Sequence, residues 1–158
     1  MSKYHWFTNA KYGLVPSGTV GWAMTLAFLI AIVINFWLID SVSHSASDTI
    51  INFYPYVLFY SAIYLILAYL TSPKHWWMVT KSYGWGWVPS TWQGWYILLL
   101  YIGGVLETLS ISLVLTRLDP LASSWFVISG LFLQTVVFFM VSLATGEKPR
   151  WRWGKKRK

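Results

Sequence analysis

Trp92-Gln93-Gly94-Trp95-Tyr96-Ile97-Leu98-Leu99-Leu100-Tyr101-Ile102-Gly103-Gly104-Val105-Leu106-Glu107-Thr108-Leu109-Ser110-Ile111-Ser112-Leu113-Val114-Leu115-Thr116 carries one charged side chain, Glu107, in twenty-five residues. A helix rises about 1.5 Å per residue and a bilayer's hydrocarbon core is about 30 Å thick, so roughly 20 apolar residues cross it. This segment is long enough to do so. Only Arg117-Leu118-Asp119-Pro120 separates it from a second apolar run, near 121–145, so the two form an antiparallel helical hairpin.

Working outward, two further runs near 19–40 and 52–72 are predicted to form another hairpin. The whole 158-residue chain is 56% hydrophobic, 20% aromatic and only 11% charged. Soluble domains carry about 25% charged residues, so too few polar groups exist here to cover a core, and the outer surface is expected to face lipid. The predicted fold is an all-α membrane protein, a four-transmembrane-helix bundle in a single integral domain spanning 1–158. Its first apolar run exceeds the length of a signal-peptide core, so a retained span is expected rather than a cleaved leader.

Lys3 and Lys11 precede the first span, Lys74 and Lys81 lie between the second and third, and Lys148, Arg150, Arg152 and Lys155 to Lys158 follow the fourth. All fall on one side of the membrane. The opposite side holds the 41–51 loop, which has no Lys or Arg, and Arg117 beside Asp119. The positive-inside bias therefore predicts both termini in the cytoplasm, with a prokaryotic cytoplasmic membrane as the expected location. The basic tail, which supplies most of the net charge of +7, suits anionic headgroups at about 1 kcal/mol per cation near the surface, so membrane lipids are the expected partner and nucleic acid is not. With no cysteine, disulfides and thiolate chemistry are excluded.

A second pattern runs through the chain. His5-Trp6-Phe7, Lys11-Tyr12-Gly13, Val15-Pro16-Ser17, Thr19 and Gly21-Trp22 reappear in order as His75-Trp76-Trp77, Lys81, Tyr83-Gly84, Val88-Pro89-Ser90, Thr91 and Gly94-Trp95. The expected units are 1–72 and 73–147, each a lead-in followed by a two-helix hairpin, with a tail at 148–158. An even number of spans per unit gives both the same orientation, related by a pseudo-twofold axis along the membrane normal. In the second lead-in Gly84 and Gly86 allow positive φ, Pro89 starts a helix, and Ser90 or Thr91 caps it, which describes a structured collar. Trp85, Trp87, Trp92 and Trp95, with Lys81, Arg150 and Arg152, are the candidate headgroup contacts, since indoles concentrate at membrane interfaces.

At Tyr83-Gly84-Trp85-Gly86-Trp87-Val88-Pro89-Ser90-Thr91-Trp92-Gln93-Gly94-Trp95 the chain resembles a group of small uncharacterised bacterial four-helix integral membrane proteins with a similar loop. The resemblance implies the four-span layout and a membrane location, and supplies no activity.

Glu107 is the sole charged residue deep inside a span, and an unpaired carboxylate there costs several kcal/mol, so a functional or hydrogen-bonded role is expected. Gly104, Thr108 and Ser112 repeat every four residues around it, and Ala23, Ala27, Ala31 and Asn35 do the same on the first span. Such stripes let helices approach closely. Counting from the span ends puts Asn35 and Glu107 in the half opposite the lead-ins and Gln134 near mid-depth, so the three are expected to meet around one cavity. Ser110 and the phenols Tyr60 and Tyr64 are further candidates for a ligand or ion site, with hydroxyls that reach Glu107 or one another.

His5, His44 and His75 lie outside the spans, on both sides, and no metal site is expected from them. Ser123 and Ser124 near Asp119 read as caps of the fourth span rather than nucleophiles. No catalytic constellation or cofactor-binding motif is present in the sequence, so no catalytic residue and no cofactor is assigned. The expected activity is binding of a lipid or small apolar ligand, or service as an accessory membrane subunit. The alternative is an oligomeric proton or cation transporter or channel centred on Glu107, and homo-oligomers are expected in either case.

Overall fold

The computed structural model describes residues 5–74 and 76–154. The expectations for Lys3, His75, the Arg152 side chain and Lys155 to Lys158 fall outside the described residues. Four helices dominate: α1 (Gly18–Asp40), α2 (Ala46–Leu70), α3 (Trp92–Thr116) and α4 (Pro120–Thr145). Each is long and apolar enough to cross a membrane, and the fold is the all-α four-span bundle of a polytopic membrane protein. α1 packs on α2 and α3 on α4, while α2 also packs on α3. α1 stands at the edge, with leucines, isoleucines and Trp37 exposed along it, the composition of a lipid-facing helix.

Three spans start within a residue or so of where hydropathy puts them. The second starts six residues early, at Ala46, because the Ser45 hydroxyl accepts the Asp48 N–H and Asp48 sits in the positive first turn. At the other loop Asp119 caps α4, its carboxylate accepting from the Leu121 and Ala122 amides. This corrects the reading of Ser123 and Ser124 as caps. Ser123 instead donates to the Ser112 carbonyl and shares a hydrogen bond with Thr116, closing the α3–α4 turn.

Both lead-ins fold as β-hairpins, which the sequence reading described only as ordered collar. β1 (Phe7–Ala10) pairs with β2 (Gly13–Pro16), and β3 (Met78–Thr80) with β5 (Trp87–Pro89). Pro89 ends a strand rather than starting α3, whose cap is Thr91 accepting from the Gly94 amide. Between β3 and β5 the short β4 (Tyr83–Gly84) pairs with β6 (Arg152–Trp153) of the tail. Gly13 and Gly86, at φ of +133° and +119°, take up the same position ahead of their proline, a conformation that side chains disfavour.

Each hairpin clamps the helices around it through the same set of contacts. The Trp6 N–H donates to Thr71 at the end of α2 (3.1 Å), and the Trp77 N–H to Thr145 at the end of α4 (2.9 Å). The carbonyls of the same tryptophans accept the Ser17 and Ser90 amides. They also press on the first turn of the helix that follows, where a Cβ on Gly21 or Gly94 would lie 2.0 or 2.4 Å from the Trp6 or Trp77 oxygen. The geometric partners are thus Trp6 and Trp77, one step out of the alignment that set Trp6 beside Trp76.

The best-buried apolar residues gather where hairpins meet helix ends. Phe7, Leu14, Tyr64, Leu65, Ala68, Trp77, Met78 and Ile97 form one cluster. Trp77, 2% exposed, stands edge-on to Tyr69 at 5.6 Å. Truncating a buried aromatic costs about 3–5 kcal/mol. Trp77→Ala is therefore expected to lower unfolding stability in mild detergent by about 3 kcal/mol, and Gly94→Ala to lower it as well by forcing the Trp77 carbonyl away. Thermal unfolding followed by tryptophan fluorescence checks both.

Candidate functional site

A cavity of about 330 Å³ opens between α2, α3 and α4. α3 forms its floor with Ile97, Leu100, Tyr101 and Gly104, and the other two helices stand as walls. Leu58 on one wall and Leu133 and Val137 on the other are exposed at its rim. The mouth therefore faces sideways, toward the medium around the helices rather than along their axes.

Its polar end is built by two side chains, Tyr54 and Gln134. Tyr54 reaches from α2 to donate its hydroxyl hydrogen to the Leu100 carbonyl, its ring lying flush on Gly103, where a Cβ would sit 2.7 Å from the ring edge. Gln134 reaches from α4, its Nε2 donating to the Gly104 carbonyl (3.2 Å) and to Thr108 Oγ1 (2.6 Å). The other end of that amide, Gln134 Oε1, is buried with no hydrogen-bond partner. A buried acceptor left unpaired costs about 1–3 kcal/mol, and Gln134 Oε1 is such an atom on a cavity-lining residue.

Gln134 and the Gly104, Thr108 and Ser112 stripe do face each other, all three stripe residues being buried. Glu107, half-buried, follows Gly103 and Gly104 by one helical turn on α3 and is not among the residues that line the cavity. Asn35 is elsewhere: it bridges α1 to α2, Nδ2 donating to the Ala31 carbonyl (2.9 Å) and the Tyr60 hydroxyl (3.0 Å). Tyr64 shares a hydrogen bond with Thr25 at the same α1–α2 interface. Ser110 is exposed and bonded to its own helix at the Leu106 carbonyl. The expected meeting of Asn35, Glu107 and Gln134 is therefore replaced by two polar rungs, one in each helical hairpin. The residue that sequence reasoning missed is Tyr54. Its signal was its heptad spacing from Ser61, itself buried and hydrogen-bonded across to Tyr96 on α3 (2.6 Å).

At the hairpin end, the indoles divide into two groups. Trp87 donates to the Glu147 carbonyl (2.7 Å) and Trp92 to the Leu14 carbonyl (2.8 Å), so their N–H groups serve the protein. Gln93, 1% exposed, adds a second donor to Leu14, and the Trp92 amide donates to the Tyr12 carbonyl. Trp85 and Trp95 are about half exposed, Trp85 resting against Trp87 and Phe139, and Lys81 and Arg150 are exposed.

Comparison of the chain with protein-family models, characterised proteins and solved structures finds no match. The likeness of the 83–95 loop to other small membrane proteins thus carries no part of the functional reading.

Because the Asn35 and Gln134 rungs lie in different interfaces with no shared partner, their removal should be additive. Interhelical hydrogen bonds in membranes contribute about 0.6–2 kcal/mol. Asn35→Leu and Gln134→Leu are each expected to cost about 1 kcal/mol, and the double variant their sum to within about 0.5 kcal/mol. Chemical denaturation in a mixed detergent provides the measurement.

Proposed function

We propose that the chain binds a single apolar chain or small apolar molecule, a membrane lipid foremost, in the α2–α3–α4 cavity, with the ligand's donor group against Gln134 Oε1. The observation that carries this reading is an apolar cavity, within the size range of small-molecule sites, ending on one unpaired buried acceptor. A lateral mouth rimmed by Leu58, Leu133 and Val137 suits entry from the acyl-chain region. Trp85, Trp95, Lys81 and Arg150 suit contact with anionic headgroups. Service as an accessory subunit of a larger membrane complex is compatible with the same site.

The chain reads further as a tandem duplication whose units share one orientation, both termini lying in the cytoplasm of a prokaryotic cell. Three kinds of correspondence support the duplication. The two hairpins clamp their helices alike. The N-caps Ser45 and Asp119 stand at matching positions, as do Thr71 and Thr145, whose hydroxyls each donate four residues back. The Asn35–Tyr60 rung with the Ala31 carbonyl matches the Thr108–Gln134 rung with the Gly104 carbonyl.

A second reading, proton or cation transfer, rests on Glu107, a half-buried carboxyl with no hydrogen bond or ion pair among the described residues. Native mass spectrometry of the full chain released gently from lipid nanodiscs tests the choice. Wild type should retain a lipid or apolar molecule, Ala62→Phe, which fills the cavity, should lose it, and Glu107→Gln should keep it. Bare wild-type protein, together with proteoliposome proton flux that Glu107→Gln abolishes, would instead establish the transfer reading.

A further inference from the structure

The cavity beside Gln134 has a counterpart. Its α3 lining, Ile97, Leu100, Tyr101 and Gly104, falls 73 residues after Met24, Ala27, Phe28 and Ala31. Its α4 lining at Gln134, Val137, Phe138 and Val141 falls 74 residues after Tyr60, Ile63, Tyr64 and Leu67. Those eight earlier residues are the walls of a second cavity, of about 280 Å³, between α1 and α2. The same offsets relate Pro16 to Pro89 and Thr71 to Thr145, whose backbone roles match. The two cavities are one site made twice.

They differ in the third wall. Around the first, α2 contributes Tyr54, Leu58, Ala62 and Leu65, whereas the second is lined by α1 and α2 alone. Advancing those four wall residues by 74 gives Ile128, Phe132, Val136 and Phe139 on α4. At spacings of four, four and three they share one helical face, and they are 60%, 71%, 37% and 40% exposed. The chain thus holds an unfinished site and the apolar helix face that would finish it, the site's open side on α1 and the face on α4, which are not among the helix pairs that pack closely in the described residues.

We propose that a second copy of this chain completes the α1–α2 cavity, its α4 lying across Met24, Ala27, Phe28 and Ala31 as α2 lies across their counterparts on α3. The contact repeats the established α2–α3 joint, so it is head-to-tail, and such contacts close into rings when their rotation permits. The completed cavity takes the same class of occupant, an apolar chain. That class rests on the binding reading above; the assembly does not.

The collar indicates how firm the joint is. Within the chain, α3 ties to the first hairpin through the Trp92 amide, Trp92 Nε1 and Gln93 Nε2. The counterparts on α1 are Thr19 and Val20, of which Val20 has no side-chain donor. Between copies the joint keeps at most the Thr19 amide and hydroxyl as polar ties and otherwise rests on apolar packing, which detergent weakens, so the test is made in intact membranes.

The absence of cysteine makes introduced thiols unique. Tyr54 lies against Gly103, so Tyr54→Cys/Gly103→Cys is the within-chain control, and its counterpart between copies is Ile128→Cys/Ile30→Cys. A short thiol–thiol cross-linker applied to membranes should convert the Ile30/Ile128 double variant from monomer to dimer and higher species, with neither single variant doing so. Monomer only, alongside a control that loses its free thiols, would overturn the proposal, as would dimer from Ile128→Cys alone, the mark of a face-to-face contact. Retention of ligand by native mass spectrometry reports on the first cavity independently, so failure of assembly and failure of the binding reading give different results.

Discussion

Hydrocarbon offers a peptide group no hydrogen-bond partner, and every backbone N–H and C=O at depth must be met by the protein itself. Helices satisfy their interiors and leave their last carbonyls orphaned. In this chain the orphans at the ends of α2 and α4 are met by a β-hairpin, through the Trp6 and Trp77 amides on Thr71 and Thr145. The same two tryptophans turn their carbonyls to the starts of α1 and α3, where glycine alone leaves room. One residue thus fastens the end of one helix to the start of another, and the buried apolar cluster gathers beside it.

The second hairpin carries an addition that the first lacks. The chain after α4 runs alongside it: the Glu147 amide donates to the Met78 carbonyl, the Glu147 carboxylate accepts from the Thr80 amide and hydroxyl, and β6 pairs with β4. A carboxylate accepting two donors is held by charge-assisted hydrogen bonds. Backbone pairing holds the tail against the collar at Arg152 and Trp153.

The spans were legible because length and the scarcity of charge leave little choice once the medium is hydrocarbon. The small-residue stripe Gly104, Thr108 and Ser112 also read correctly, since spacing by four fixes one face of a helix and small side chains mark close approach. What failed was azimuth across helices. Depth alone set Asn35, Glu107 and Gln134 at neighbouring levels, but depth does not say which helix a face turns toward, and Asn35 turns to Tyr60 while Gln134 turns to Thr108. The collar's order was visible in its glycines and prolines. Its strands were not, because strands of three or four residues, two of them closed by a proline, are too short for a readable alternation. Tyr54 escaped notice for a related reason: the phenols Tyr60 and Tyr64, spaced by four, drew the reading, yet both serve α1.

If the hairpins are fasteners closing helix ends, their key amides are as protected as the helices they close. Hydrogen–deuterium exchange of the full chain in lipid nanodiscs measures this directly. The Trp6, Trp77 and Trp92 amides should exchange as slowly as the interiors of α2 and α3, while Trp85 at the exposed loop exchanges quickly. Rapid exchange at Trp6 and Trp77, matching that of the loop, would mean the collar is a loose linker and the account of what holds the spans together is wrong.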